Sequence, residues 1–334
     1  MKKTLNLHKF LFDMLNRRIL RVKAFKVLYQ CRENQSLTLK DALTLLEDSC
    51  QATRDLYLYM TGLIPALTAE AAKRTEAARG KFNPTEEDLN PNLKFVRNGI
   101  SALLEADPDF NRIMEKKKFS WEQNDSFIST LYQTLRTREY FRDYLSADKV
   151  SLQADASLWK NIFANELEDS QELAAILEDA SIYWADDLGY VLGTVIKSLD
   201  AMAREGRWTL PPLYQSEVKA AAGKEAESDS EFVRTLLSVA YGRFGEYEAL
   251  ISASVSKWEV ERLCLADVIL VSLGLAEAQA FPQIPLKVSM NEYVEIAKYY
   301  STPRSGAFVN GLLDRLTKQL TEEGKIVKQG KGLI

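Results

Sequence analysis

The stretch from Phe281 to Leu316 constrains this chain most, because it contains two helix patterns separated by a tight turn. The first pattern follows two prolines and carries apolar residues at helical spacing: Met290, Val294 and Ala297. Thr302-Pro303 ends this helix, because the residue before a proline is pushed away from helical geometry. Ser305 is then a predicted N-cap for a second helix, whose apolar face runs from Phe308 to Leu320.

Three polar residues in this stretch are unusual for plain amphipathic helices. Glu292 lies beside apolar neighbours, and Asn310 and Asp314 are one helical turn apart, where side chains meet. One interpretation is structural: the three residues join the helices by hydrogen bonds, which buried polar groups require. The other is a catalytic carboxylate pair, but no nucleophile is apparent nearby and the chain has a single histidine.

The same stretch resembles the C-terminal signature of the NusB family, bacterial factors of transcription antitermination and ribosomal RNA synthesis. The resemblance is carried by K-V-x-x-N-E-x-x-E-x-A-K followed by S-x-x-F-V-N-G-x-L-D, without a gap. It implies an all-α fold, in which two small helical bundles pack across each other. A structural role for Glu277, Glu292, Asn310 and Asp314 fits this resemblance.

An arginine-rich helix is predicted from Leu15 to Arg32. At about 100° per residue, its basic and aromatic residues share an arc next to the apolar face: Arg17, Arg18, Arg21, Phe25 and Arg32, with Tyr29 at the margin. Guanidinium groups suit phosphates, and aromatic rings accept unstacked bases. A solvated charged face is the alternative. NusB proteins open with a similar R-R-x-x-R helix that binds the boxA element of nascent RNA, so the resemblance implies RNA binding here.

The start of the last helix departs from the family pattern. Compact members commonly carry an acid and a lysine near bound RNA, where this chain has Arg304 and Ala307, although Phe308 is retained. We expect Arg304 to meet a phosphate and Phe308 to add an aromatic contact. Asp267, on the central helix, lies on the surface that the resemblance assigns to the protein partner NusE.

The resemblance covers two separated parts of the chain, and this predicts the domain organisation. Residues 15–65 and 229–320 form the NusB-like core, and a helical insertion at 66–228 separates them. Residues 1–14 form a leader, and 321–334 form a flexible basic tail. Met14 begins a sequence that resembles the usual family start, so translation from Met14 is a hypothesis that the intact mass of the native protein tests.

Composition limits the classes of function. The net charge of −4 over 334 residues excludes a uniformly basic nucleic-acid binder, so RNA contacts must come from a local patch. Three widely spaced cysteines argue against a disulfide framework or a cysteine-rich zinc site and fit a cytoplasmic protein. No signal peptide or membrane span is predicted, and neither a metal nor a cofactor is implied.

The expected function is therefore binding, not catalysis. The resemblance implies a factor that binds boxA-like RNA with NusE in the antitermination complex of RNA polymerase. An alternative is a protein-interaction or ribosome-assembly module without RNA binding. A third possibility is a relative of the RNA cytosine methyltransferases that carry a NusB-like domain, which would need a glycine-rich cofactor loop and a catalytic cysteine.

Overall fold

The computed structural model describes residues 14–184, 186–216, 228–255 and 263–333. Within these ranges the chain forms fifteen α-helices and no strand, so the all-α prediction is confirmed there. The first ten helices are α1 Arg17–Glu33, α2 Leu39–Arg79, α3 Glu86–Leu89, α4 Gly99–Ala106, α5 Pro108–Lys117, α6 Asp125–Thr137, α7 Glu139–Ser146, α8 Leu152–Asn165, α9 Gln171–Ala180 and α10 Leu188–Glu205. The last five are α11 Asp229–Gly242, α12 Phe244–Ser254, α13 Leu265–Ala280, α14 Leu286–Tyr300 and α15 Ser305–Glu322.

The described chain separates into two compact units. The first contains residues 15–50 and the described residues from 214 onward, and the second contains Met14 and residues 51–213. The sequence-based boundaries, at 65/66 and 228/229, thus lie about fifteen residues later than the structural ones. They differ because α2 is one continuous helix through the first boundary. Helical periodicity does not show at which residue of such a helix one unit ends and the next begins.

Only the last residue of the predicted leader belongs to the described part of the chain. Residues 1–13 of the predicted leader lie outside the described residues. Its last residue, Met14, is buried and donates its backbone N–H to Pro212 O at 3.2 Å, so Met14 is part of the second unit's packing.

The first unit is built around α13. This helix is apolar on every side and is buried from Ala266 to Ala278, as expected for a helix surrounded by others. Helices α1, α11, α12, α14 and α15 pack around it or against its neighbours. Gly274 permits the close approach of α15, because a Cβ there would lie 2.6 Å from Leu313 Cδ2. The two helices of the NusB-like signature, α14 and α15, thus pack against the central helix of this unit.

The C-terminal tail is packed, and the prediction of a flexible tail is wrong for residues 325–333. Gly324, at φ +69°, ends α15, after which Ile326 is buried. Lys328 Nζ donates to Phe281 O at 2.9 Å, and Gln329 N donates to Pro282 O at 3.0 Å. Backbone carbonyls of the α13–α14 loop therefore fix a segment whose glycines and lysines are typical of a mobile tail.

The second unit has its own core along residues 51–79 of α2. The fully buried Tyr57 hydroxyl lies 2.7 Å from Ser198 Oγ of α10 and accepts a hydrogen bond from Trp208 Nε1 at 3.2 Å. A second aromatic group packs around Phe95: Phe141, Trp159 and Tyr132. The large buried rings show that this unit does not lack apolar volume of its own.

Pro65 lies in the interior of α2, where it removes one backbone donor. Nearby, Trp121 Nε1 donates to Tyr59 O at 3.0 Å, and its ring stacks on that of Tyr59 with centroids 4.3 Å apart. The side chain of Trp121 is thereby fixed against α2, beside the proline.

No helix among the described residues is long and apolar enough to cross a membrane.

The buried side chain of Asn98 is the polar junction of the second unit. It caps α4 through Ser101 N at 2.9 Å, accepts from Trp159 Nε1 at 3.0 Å and donates to Phe95 O at 2.7 Å. Its position joins α4 to α8, because Trp159 lies on α8.

We predict that Asn98→Ala destabilises the second unit by about 2–4 kcal/mol, because it removes a helix cap and leaves the indole N–H of Trp159 buried without an acceptor. Four of the five tryptophans lie in this unit, so urea unfolding followed by tryptophan fluorescence measures the effect. Asn165→Ala, at an exposed position of α8, should change stability by less than about 0.5 kcal/mol. If Asn98→Ala and Asn165→Ala lowered the free energy of unfolding equally, this would contradict the role of Asn98 as the polar junction of the unit.

Candidate nucleic-acid interface

Helix α1 begins two residues later than the sequence predicts, and its first three arginines are paired with acids. Asn16 caps the helix by accepting from Arg18 N at 3.0 Å and Ile19 N at 3.1 Å. This cap fixes the first turn and therefore the direction of the arginine side chains that follow.

Arg21 lies inside the first unit and pairs with Glu277 of α13. Its Nε and Nη2 each donate to one carboxylate oxygen at 2.7 Å, and both residues are almost fully buried. Ser289 Oγ and Tyr293 OH of α14 donate to the same carboxylate at 2.7 and 2.8 Å. One buried ion pair thus joins α1, α13 and α14.

The protonation states of this pair follow from its surroundings. Burial alone would raise the pKa of Glu277, but the charge of Arg21 and the hydrogen bonds from Arg21, Ser289 and Tyr293 lower that pKa below its ordinary value. Burial alone would lower the pKa of Arg21, which the neighbouring Glu277 raises instead. Both groups are therefore charged at neutral pH.

Arg18 and Arg17 are half-buried and also paired. Arg18 makes a bidentate pair with Glu292 of α14, at 2.8 Å from Nε and 2.7 Å from Nη2. The Glu292 hydrogen bond raises the pKa of Arg18, against the opposing effect of burial. Arg17 Nε donates to Asp229 of α11 at 3.1 Å, and its guanidinium lies over the Phe232 ring. These two cations connect helices that are more than 200 residues apart in sequence.

The predicted arc of open guanidinium and aromatic groups therefore needs correction. Arg21 and Phe25 are each only 4% exposed, so neither presents a surface to RNA in this structure. Arg32 is half-buried, with its guanidinium 4.2 Å from the centre of the Phe244 ring. The helical wheel placed these residues beside the apolar face correctly, but it could not show that acids and rings from distant helices cover them.

An exposed basic and aromatic group lies farther along α1. Tyr29 is 38% exposed, and the buried ring of Phe25 contacts both Tyr29 and Tyr300, with centroids 6.2 and 5.6 Å away. Lys26 Nζ lies 5.5 Å from the centre of the Tyr300 ring. Lys26 and Tyr300 are not among the residues predicted from the sequence. A signal was available, since Lys26 precedes Tyr29 by one turn and Tyr300 ends the signature helix α14.

The joint between α14 and α15 continues this group. Arg304 occupies the N-cap of α15. Ser305, the predicted N-cap, is instead the first residue of the helix. The Arg304 side chain is exposed and has no hydrogen-bond or ion-pair partner within the described ranges, while Phe308, one turn on, is half-exposed. We define the residues Lys26, Tyr29, Tyr300, Arg304 and Phe308 as the basic-aromatic surface.

Asp267 lies in a hydroxyl network, which corrects its predicted role. It is 4% exposed and accepts from Ser301 Oγ at 2.7 Å and Ser305 Oγ at 3.0 Å. Its position in the first turn of α13 is favourable for a negative charge. The carboxylate ties the α14–α15 joint to α13 and has no surface with which to bind a protein partner.

Asn310 and Asp314 do not join helices, in contrast to their predicted structural role. Both are exposed on α15, and Asp314 pairs with Lys318 of the same helix at 2.7 Å. Neither has a partner on another helix among the described residues. Glu292 and Glu277, by comparison, each bond to α1. Glu292 and Glu277 make the inter-helix contacts that the structural interpretation requires, whereas Asn310 and Asp314 do not.

No group of three or more His, Cys, Asp or Glu side chains in the described ranges is arranged to hold a metal ion. The basic-aromatic surface instead combines two cations with three rings. Such a combination suits a single-stranded nucleic acid, whose phosphates meet cations and whose bases stack on rings.

Comparison with known proteins identifies similarity in the C-terminal part of the chain. Residues 193–318 match the model of the NusB family. A curated relative from Salinibacter ruber, named transcription antitermination protein NusB, is 37% identical over 110 residues, which are 33% of this chain and 69% of that protein.

Proteins of the same name in two other organisms are also similar. The one from Chloroherpeton thalassium is 33% identical over 104 residues, covering 31% of this chain and 49% of that protein. The one from Natranaerobius thermophilus is 29% identical over 107 residues, covering 32% and 77%. No solved structure matches the chain.

We predict that Glu277→Gln destabilises the first unit by about 3–5 kcal/mol, because it leaves the Arg21 charge buried without a counter-ion. The pKa of Glu277 is lowered on folding, so its contribution is present above the ordinary carboxyl pKa and is lost as the pH falls through the lowered value. The difference in the free energy of unfolding between the wild type and Glu277→Gln should therefore become smaller below about pH 4.

Hydrogen exchange of the α1 amides at several pH values measures this difference. Glu295→Gln is the control, because Glu295 forms its ion pair with Lys298 of its own helix and its side chain is 38% exposed. A Glu277→Gln penalty that is the same at all pH values would contradict the charged pair.

Proposed function

The chain belongs to the NusB family, and on that premise we propose that it is a transcription antitermination factor. It binds boxA-like RNA together with the ribosomal protein NusE and acts within the antitermination complex of RNA polymerase during ribosomal RNA synthesis. The proposed role is recognition and assigns no reaction to the chain. It works in the cytoplasm, where transcription takes place.

The basic-aromatic surface is the observation that carries the RNA-binding part of this proposal. Tyr29 is exposed, Lys26 lies over Tyr300, and Arg304 is an exposed cation without a protein partner within the described ranges. In the proposed complex, Lys26 and Arg304 bind phosphates, and Tyr29 and Phe308 stack on bases. Sequence preference comes from the base contacts, because phosphate contacts are the same for every sequence.

The paired arginines have a different role in the proposal. Arg21 and Phe25 have a structural role in the proposal: both are buried and support the basic-aromatic surface by packing. Arg17 and Arg18 are half-exposed, so they add positive potential at the edge of the RNA site. Their bonds to Asp229 and Glu292 keep them from being the principal phosphate ligands.

The NusE part of the proposal has no assigned surface. Helix α13, which the resemblance favoured, is buried from Ala266 to Ala278 and offers a partner almost nothing. NusE therefore binds elements other than the middle of α13.

A module that binds proteins but not RNA is the second candidate, and one observation favours it. All three predicted RNA-binding arginines at the start of α1 are already neutralised by acids. A protein of this kind would retain NusE binding and show no salt-dependent affinity for boxA-like RNA.

We predict that the double variant Lys26→Ala, Arg304→Ala weakens binding of a single-stranded boxA-like RNA and flattens its salt dependence. Loss of two phosphate contacts should reduce the slope of log K against log salt by about 1.4. Tyr29→Ala should weaken binding by about 1–3 kcal/mol with little change in that slope, because it removes a stacking platform. Fluorescence titration at several salt concentrations, with and without NusE, measures both quantities.

The matched control is Lys287→Ala, Lys318→Ala, which removes the same charge from exposed positions elsewhere on α14 and α15. Equal losses in the two double variants would indicate non-specific attraction. Wild-type protein that binds NusE but not RNA would establish the second candidate. Arg21→Ala is unsuitable as a binding test, because it removes the buried ion pair.

A further inference from the structure

The second unit contains a surface groove that the proposed function does not use. The groove has a volume of about 400 Å³ and lies along α2, between α5, the segment that follows it and the start of α6. All of its lining residues belong to the second unit. We call it the α2 groove.

The residues of α2 that form the floor of the groove have small side chains. Gly62, Pro65, Ala66 and Ala69 face it from α2, at the i, i+3, i+4 and i+7 positions of one helical stripe. Gly62 to Ala69 spans about 10 Å of helix, or two turns. A second helix can approach such a stripe closely, because little side-chain bulk separates the two backbones.

The opposite wall is apolar and has one rigid and one adaptable part. Trp121 is held by its hydrogen bond to Tyr59 O and by stacking on the Tyr59 ring. Met114 is half-exposed, and its Cε lies only 2.6 Å from where a Cβ on Gly62 would be, so its flexible side chain covers part of the floor. Together with half-exposed Phe119, Met114 forms a wall that adjusts to an apolar ligand surface.

The charges at the rim favour a basic ligand. Glu122 and Asp125 are exposed on the α6 side, and neither side chain has a hydrogen-bond or ion-pair partner within the described ranges. On the α2 side, Glu70 is paired with Arg74 at 2.6 Å, and Lys73 is the cation of the lining. The unit as a whole adds to this bias, since residues 51–213 contain 26 acids and 19 lysines and arginines.

We propose that the α2 groove binds an amphipathic α-helix of a partner protein that carries lysine or arginine beside its apolar stripe. The apolar stripe lies on Ala66 and Ala69 between Met114 and Phe119, in the helix-in-groove mode of recognition. The basic residues meet Glu122 and Asp125. A nucleic acid or an anionic membrane is disfavoured, because both would place negative charge against these carboxylates.

A model peptide tests the proposal on the full-length chain. The probe is a fluorescent amphipathic peptide of leucine and lysine, about 14 residues or four turns long. Two controls are a peptide of the same composition in scrambled order and an amphipathic peptide of leucine and glutamate. We expect saturable one-to-one binding of the amphipathic Leu–Lys peptide alone, measured by fluorescence anisotropy.

Two variants of the groove distinguish it from general acidity. Ala69→Tyr fills the floor at an exposed helix position and should weaken binding at least about tenfold, since it removes the site for the apolar stripe. Glu122→Gln, Asp125→Asn should weaken binding several-fold and flatten its salt dependence. The matched control Glu172→Gln, Asp179→Asn removes two exposed acids from α9 and should leave the affinity unchanged.

Three results would overturn the proposal: no saturable binding at millimolar peptide, equal binding of the scrambled peptide, or equal losses in the groove and α9 variants. The last result would assign the attraction to the acidic surface of the unit as a whole. Since no RNA or NusE is present, failure here is separate from failure of the proposed function. Circular dichroism of each variant establishes that loss of binding does not come from loss of folding.

Discussion

The buried Arg21–Glu277 pair is the interaction on which the first unit depends, because it joins parts of the chain that are 256 residues apart. Taking two charges out of water is costly, and the cost is offset only when every polar atom finds a partner. The carboxylate accepts four hydrogen bonds, two from Arg21 and one each from Ser289 and Tyr293. Since removal of either charge would strand the other, this pair specifies which helices meet as well as stabilising their contact.

The same electrostatics determine where the unit can recognise an anion. Arg17, Arg18 and Arg21 each have a carboxylate within hydrogen-bonding distance, so a phosphate would have to compete with an acid already in place. Arg304 is exposed at the α14–α15 joint, and Lys26 Nζ lies over the Tyr300 ring. The acids of α11, α13 and α14 thus assign the first arginines of α1 to assembly, and the proposed RNA site lies in the later part of the helix and at the α14–α15 joint.

The features that follow from local periodicity were predictable, and those that depend on distant partners were not. The two-helix pattern at Met290–Leu316 and the joint at Thr302-Pro303 follow from apolar spacing and proline geometry, and the structure has α14 and α15 there. The burial of Arg21 could not be predicted, because an arginine beside an apolar stripe is normally solvated unless an acid reaches it. Asp267 and the C-terminal tail differ from their predicted roles for the same reason. Their hydrogen-bond partners, Ser301 and the Phe281 carbonyl, are far from them in sequence.

The two units differ in the chemistry of the surfaces they offer, and this difference follows from how each one uses its charges. The first unit pairs its acids with arginines in buried or half-buried ion pairs, and Arg304 remains an exposed cation at the α14–α15 joint. The second unit has neutral buried junctions such as Asn98 and Tyr57 and buries two carboxylates, Asp155 and Asp187, while many of its other acids stay on the surface. Under the two proposals, a polyanion and a cationic helix bind to different parts of one chain. An insertion with its own aromatic core can add a second binding surface without disturbing the ion pairs that hold the first unit together.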